Sequence, residues 1–344
     1  MKYVEFTRVP TLRPIVEAVR GDVGSAGIHR AFSLQGLDPD LVFRPNAVLP
    51  LRDLIGLFER FARERGDTTF GFFAARSIRP DAFGLFVAYA LQAQDLRSAI
   101  DRVRRGVPLH QGGTTMALAE KGDRAIWSYR VDLPLTTGRH HHALHVLWQM
   151  SELMTAYLGA RPYLCEVGIE APAYGPPGSL ETEFAAPVRW SRQTNYLAFP
   201  ASLLHETAYP PIGDTAPLTY LDLIRYMRTR PPQSDAGKTE AALRFCLDHG
   251  DTTIEAVAKY LNTGARTLQR RLHSEGLGFR DVLENVRRTR ARELLADTTL
   301  PLGRIALLLG YSDPSHFTRA YRRWYGHPPV RDRSVLERAP PSAR

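Results

Sequence analysis

Residues 266–276 read "RTLQRRLHSEG". At about 100° per residue, Arg266, Gln269, Arg270 and His273 share one helical face, and Leu268 and Leu272 lie on the other. Taken alone this is a basic amphipathic helix, and most such helices are solvated surfaces. Its echo changes the reading. A shift of 49 residues carries the four polar positions onto Ser315, Thr318, Arg319 and Arg322 and the two leucines onto Phe317 and Tyr321, so both faces are reproduced together.

The helix in front repeats too, with Val257, Ala258 and Leu261 matched by Ile305, Ala306 and Leu309 at a shift of 48; the one-residue difference falls in the turns, "NTGA" against "GYSDP". Two helices joined by a tight turn with Asn or Gly make a helix-turn-helix, and the chain carries two. The small Ala258 and Ala306 let the first helix approach the second, while Leu268 and Phe317 anchor the second from behind. Its outer face is then free to enter the major groove of double-stranded DNA. Arg pairs bidentately with guanine O6 and N7, and Gln with adenine N6 and N7. Arg266, Gln269, Arg270, Arg319 and Arg322 are therefore the expected base readers, with His273, Ser315, His316 and Thr318 as shorter-range or phosphate partners.

Between the units, "FRDVLENVRRTRARELLAD" (279–297) reads as a packed helix. At about 1.5 Å per residue it spans roughly 28 Å, close to the ~34 Å between successive major grooves on one face of DNA. Its Arg287, Arg288, Arg290 and Arg292 read equally well as phosphate contacts and as a solvated or salt-bridged face.

Charge follows the same division. The 344-residue chain has net charge +9, and residues 235–344 hold 19 Lys and Arg against 13 Asp and Glu, compared with 26 against 23 in the first 234 residues. The length points to two domains, and the denser basic end is where a phosphate footprint belongs. Residues 1–228 are read as the first domain, to which the family resemblance given below assigns effector sensing and dimerisation, 229–238 as a linker rich in turn formers, 239–335 as the DNA-binding domain and 336–344 as a tail. The expected fold is an α+β sensor domain followed by an all-α domain with two helix-turn-helix units joined by a long helix. Helices are expected at 49–67, 85–106 and 137–159, and strands in "TTMALAE", "RAIWSYRVDL", "CEVGIEAP", "PVRWS" and "NYLAFP".

No glycine-rich phosphate loop, GxSxG or HExxH occurs, so neither an enzyme nor a cofactor is expected. Cys165 and Cys246 form no metal clip or disulfide framework. His141 and His145 stand at metal-ligand spacing, but without a matching cluster they read as a polar helix start or pocket lining, and no metal is expected. Phe83, Phe86, Tyr89, Trp127, Tyr129 and Trp148 are the candidates for an effector pocket, core packing being the commoner role for each. The N-terminus lacks a secretory apolar core, and the longest uncharged apolar stretch, "AFGLFVAYALQAQ", falls short of the ~20 residues that span a bilayer, so a cytoplasmic protein is expected.

The stretch from "IEAVAKYLNTGARTLQRRLHSEG" through "RARELL" and "IALLLGYSDPSHFTRAYRRWYG" to "GHPP" resembles the DNA-binding domain of AraC/XylS-type transcriptional regulators. The resemblance covers about the last 95 residues. Two positions depart from the family pattern: Gly264-Ala265, where serine and proline are commoner and the first recognition helix loses a cap, and Pro328, where Ser or Thr is usual. The first domain is similar, in "LQGLDPDLVFRPNAVLPLRDLIGLFERFARERGD" and "ETEFAAPVRWSRQTNYLAFPASLL" among other pieces, to the arabinose-binding-like domain of the branch that includes ornithine-utilisation and virulence regulators. The resemblance implies a sequence-specific regulator controlled by a small-molecule effector, an activator working with RNA polymerase, and a homodimer. A repressor and an effector-independent architectural protein are the alternatives.

Overall fold

A computed structural model describes residues 4–9, 11–44, 47–78, 83–135, 137–176, 178–207, 217–227, 231–248, 250–297 and 300–336. The chain divides into two compact units at Pro231/Pro232. Of the segment read as linker, residues 229–230 lie outside the described residues, as does the tail beyond Leu336; residues 235–238 are already helical.

In the first unit, β1 (Phe6–Arg8) pairs antiparallel with β2 (Val48–Pro50) across α1 (Leu12–Leu34). The helical readings of the sequence do not include α1. Its buried residues run Leu12, Ile15, Val16, Val19, then resume at Ile28, Ala31 and Phe32, because the helix kinks at Gly24 (φ 67°) and the apolar stripe changes register there. Next come α2 (Leu51–Arg65), α3 (Phe70–Arg76), α4 (Leu85–Leu91) and α5 (Leu96–His110). The last two replace one expected helix: Asp95 accepts a hydrogen bond from the Ser98 N–H at 2.8 Å and starts α5 afresh. Gly106 on α5 lets the Phe86 ring of α4 pack against it, since a Cβ there would lie 2.5 Å from that ring.

β3 (Thr114–Lys121) and β4 (Arg124–Val131) form a hairpin in a five-stranded sheet with β5 (Glu166–Gly168), β6 (Val188–Arg189) and β7 (Asn195–Pro200), in the order β3-β4-β7-β5-β6. Along β4 the period of two buries Ala125, Trp127, Tyr129 and Val131 on one face. Packed against β4 and β7 is α6 (Arg139–Leu158), buried around much of its circumference, from His141 and His142 to Leu158. α7 (Ser179–Phe184), α8 (Tyr220–Tyr226) and short 3-10 helices at Pro39–Phe43 and Ala201–His205 complete the described elements of this unit.

The second unit is helical: α9 (Asp235–Asp248), α10 (Ile254–Tyr260), α11 (Ala265–Ser274), α12 (Phe279–Asp297), α13 (Leu302–Leu308), α14 (Pro314–Tyr325) and α15 (Pro329–Leu336). One core gathers Ala291, Leu294, Leu295, Ile305, Ala306, Leu309, Phe317 and Tyr321 from α12, α13 and α14. α15 was not expected. It starts with Pro329 at its first position, where proline's missing N–H costs nothing. Pro328, at the position where the family carries Ser or Thr, supplies no side-chain cap; its carbonyl accepts from the Arg331 N–H at 3.1 Å. No helix among the described residues is long and apolar enough to cross a membrane.

Candidate DNA-reading faces and ligand cavity

The repeat seen in side chains extends to the backbone. After α10 the chain turns at Asn262 (φ 51°), whose N–H donates to the Lys259 carbonyl (3.0 Å) while the Thr263 N–H donates to Ala258 (2.9 Å). After α13, Gly310 (φ 72°) donates to Leu307 (2.9 Å) and Tyr311 to Ala306 (3.0 Å). Both are the same left-handed helix stop, which Gly or Asn tolerates and which satisfies two otherwise orphaned carbonyls. Behind α11 and α14, Leu268, Leu272, Phe317 and Tyr321 are fully buried, and Ala258 and Ala306 sit in the close helix contact expected of them.

The opposite faces are exposed. Arg266, Gln269, Arg270 and His273 on α11, and His316, Arg319 and Arg322 on α14, are solvent-facing and make no hydrogen bond or ion pair among the described residues. Ser315 is exposed too, but its backbone N–H and hydroxyl both engage Asp313; Thr318 is half-buried and spends its hydroxyl on the Pro314 carbonyl (3.1 Å). The two thus serve the helix itself, leaving Arg319 and Arg322 as the long reach of α14.

The linking-helix arginines are differently placed. Arg287 donates to the carbonyls of Leu309 (2.8 Å) and Gly310 (3.1 Å) and lies over the Tyr311 ring; Arg288 bonds Asn285, Arg290 bonds Glu293, and Arg292 sits over Tyr325. Arg287 thereby pins the second turn to α12. Arg287→Ala is expected to cost about 1–2 kcal/mol in thermal unfolding while leaving the salt slope of DNA binding unchanged, as phosphate contact would not. Two residues escaped the sequence reading: Arg280 and Arg304 are exposed and unpaired in the first turns of α12 and α13. A cation at a helix N-terminus opposes the helix dipole, so its position there is the available signal of an anionic partner.

The caps differ as the sequence suggests. Gly264 starts α11 with no side-chain bond, whereas Asp313 caps α14 through the Ser315 N–H at 2.7 Å, with Pro314 at the first position. Gly264 has an extended φ of −89° and open space around it. Gly264→Ser is expected to stabilise the chain by a few tenths of a kcal/mol and Asp313→Ala to destabilise it by about 1 kcal/mol, both read by urea denaturation.

The first unit encloses a cavity of about 160 Å³. Its wall is mostly apolar, with Ile15, Leu54, Phe58, Val103, Val107 and Leu153 from α1, α2, α5 and α6. Of the six aromatic candidates, Phe83, Phe86, Trp127 and Tyr129 line it. Tyr89 and Trp148 do not: the Tyr89 ring lies under Arg102 and beside Tyr220, and Trp148 packs on Phe72 (4.3 Å between centroids) and Phe184.

The cavity's polar residues were not expected as a group. His110 from α5 and His142 and His145 from α6 line it with Gln111. Burial holds the three imidazoles neutral, lowering His110 to about 4 and His142 and His145 to about 3. A chain of hydrogen bonds runs from the Thr7 hydroxyl to Gln111 Oε1 (3.2 Å), from Gln111 Nε2 to the Tyr129 hydroxyl (3.1 Å), and from there to His142 Nδ1 (3.3 Å). Burial also pushes the Tyr129 phenol up, keeping it a neutral donor. Trp127 Nε1 and His145 Nδ1 are buried without a partner.

His141 and His145 do not converge. His145 reaches the cavity, while His141 lies edge-on to Phe70 with Nε2 3.9 Å from Glu59. One ligand-type atom from each of Glu59, His140 and His141 falls within 4.8 Å of the others, a grouping across α2 and α6 that sequence spacing does not reveal.

Comparison with known proteins agrees with both units. Residues 27–208, more than half of the chain, match the family model described as the arabinose-binding domain of AraC transcription regulator, N-terminal, and residues 257–334 match a helix-turn-helix domain. The Ornithine utilization regulator of Pseudomonas aeruginosa is 26% identical over 329 residues, 91% of this chain and 93% of that protein. The HTH-type transcriptional regulator VirS of Mycobacterium tuberculosis is 40% identical over 128 residues, 36% of this chain, and the chain spans only 38% of VirS's own length. Among solved structures, the transcriptional regulator CdpR from Pseudomonas aeruginosa superposes with a TM-score of 0.40 at 22% identity, covering 91% of this chain and 98% of that one. With the sensor-domain model spanning most of the first unit and the helix-turn-helix model spanning both repeats, the chain belongs to the AraC family of transcription regulators.

Proposed function

We propose that this protein is a sequence-specific, effector-controlled transcription regulator that reads two major-groove segments with α11 and α14. The observation that carries the reading is the pair of equivalent exposed faces, Arg266, Gln269 and Arg270 on one and Arg319 and Arg322 on the other, whose long side chains make no hydrogen bond or ion pair among the described residues. Side chains held out in water at the loss of ion pairs available elsewhere suit base edges and phosphates. Arg280 and Arg304 supply phosphate contacts beside them. The length of α12, 19 residues, suits two readers spaced by about one turn of DNA.

The first unit supplies control: its cavity takes an effector, and it is the dimerising half. Activation through RNA polymerase, in a cytoplasmic setting, completes the reading. The test is selection of duplexes from a random pool by the full chain, followed by hydroxyl-radical footprinting. The expected result is an enriched asymmetric site with two protected segments about 10 base pairs apart. A pool that stays unenriched while the protein still binds DNA would favour the architectural alternative. Transcription in vitro with and without polymerase contacts, and sedimentation of the first unit, test activation and dimerisation separately.

A further inference from the structure

The cavity wall carries information about its ligand beyond size. The Tyr129 hydroxyl already accepts from the Gln111 amide, so its own proton goes to its remaining partner, His142 Nδ1. Gln111 is itself oriented by the Thr7 hydroxyl. Neutral His142 therefore carries its proton on Nε2 and offers a donor, not an acceptor. Trp127, 1% exposed, adds a second donor: its indole N–H is buried, unpartnered and can only donate. The His142 ring lies 6.0 Å from Tyr129 and 6.2 Å from His145, so these three form one polar cluster in a wall that is otherwise mostly apolar.

We propose that the cavity takes a small apolar monocarboxylate, a single ring or short chain bearing one acidic head, and not a sugar. The inference rests on the effector-sensing reading of the first unit and names the class of its ligand. The two carboxylate oxygens accept from Trp127 and His142, satisfying the indole N–H that is otherwise stranded. A cavity of about 160 Å³ is in the size class that holds a benzene ring. The charge follows from the surroundings. Arg8, whose Nε is buried without a partner, is the cation whose field reaches His110, and Arg139, already paired with Glu170, is the one that reaches His142. Among the described residues the one carboxylate of the wall, Glu152, is exposed to solvent. A pentose fits poorly, because its several hydroxyls would face Ile15, Leu54, Phe58, Val103 and Val107 and lose their hydration uncompensated. The arabinose named by the matching family model is therefore not the ligand of this chain.

Isothermal titration calorimetry of the full chain tests this with phenylacetate and hexanoate, their amides, toluene and L-arabinose. The acids are expected to bind with a negative heat-capacity change, the amides at least tenfold more weakly, and arabinose not at all. Trp127→Phe removes the stranded donor and keeps an aromatic body; it is expected to weaken the acids about tenfold and leave toluene within a few fold. Amides binding as tightly as acids would overturn the acidic head, and arabinose binding in place of acids would overturn the class. Toluene alone binding would overturn the head group while leaving the effector cavity standing. If nothing binds, toluene included, the effector reading itself falls.

Discussion

Replacing Arg270 and Arg319 by alanine is expected to cost about 1–3 kcal/mol each on the selected duplex, roughly 5- to 150-fold in affinity, and little on a scrambled one. The two positions are related by the 49-residue shift and stand on different recognition helices. On the proposed reading they contact separate groove segments, so the double variant is expected to lose about 2–6 kcal/mol by simple addition. Both side chains are exposed and make no hydrogen bond or ion pair among the described residues, so their removal opens no cavity, and stability is expected to stay within about 0.5 kcal/mol. Titrations at several salt concentrations separate the two kinds of contact. A base reader costs affinity on one sequence alone; a phosphate contact costs it on every sequence and lowers the salt slope by about one. Equal losses on matched and scrambled duplexes would reassign both residues to the backbone, and Gln269 with Arg266 would become the remaining readers.

Acid is expected to unfold the first unit well before its carboxylates titrate. His142 and His145 are buried, His110 is partly buried, and all three are held neutral, at about 4 for His110 and about 3 for the other two. In the unfolded chain each returns to about 6.5. Between those values the unfolded state binds more protons, so stability is complete above about pH 6.5 and falls as pH drops toward the folded values. At pH 5 the loss is about 2 kcal/mol per histidine, on the order of 6 kcal/mol for three, comparable with the whole stability of many domains. Urea titrations from pH 7.5 to 4.5, followed by the fluorescence of Trp127 and its neighbours, measure it. Burial holds His141 down to about 4 as well, so substituting His145 by Gln is expected to flatten the pH dependence by about a quarter; a curve unchanged between pH 7 and 5 would mean that the imidazoles are solvated. A carboxylate bound in the cavity would favour the charged imidazole and offset part of this loss.

The tandem helix-turn-helix was legible because its packing imposes local rules. Leu268 and Leu272 must face inward, Ala258 must be small, and Asn262 or Gly310 must accept a left-handed turn, all within about twenty residues. Repetition of those rules at a shift of 48 or 49 made coincidence a poor explanation. Hairpin β3–β4 was legible for the same reason, since the alternation of Ala125, Trp127, Tyr129 and Val131 is a local pattern. Where local rules compete, the reading failed. Gly24 breaks the stripe of α1 between Val19 and Ile28, Asp95 divides one apolar run into α4 and α5, and Pro329 opens α15, which the helical readings do not include.

The sequence by itself determined the two-unit architecture, the faces of α11 and α14 and the membership of a regulator family, because each rests on spacing within one or two helices. Only the tertiary structure decided which arginines are free. Arg287 and Arg270 look alike in a string, yet one is held by the Leu309 and Gly310 carbonyls and the other has no hydrogen bond or ion pair among the described residues. It also decided the character of the cavity, since Thr7, Gln111, Tyr129 and His142 form their hydrogen-bond chain from β1, the end of α5, β4 and α6. Side chains more than 100 residues apart meet there only because the sheet and α6 bury them together, and burial is what fixes where His142 carries its proton.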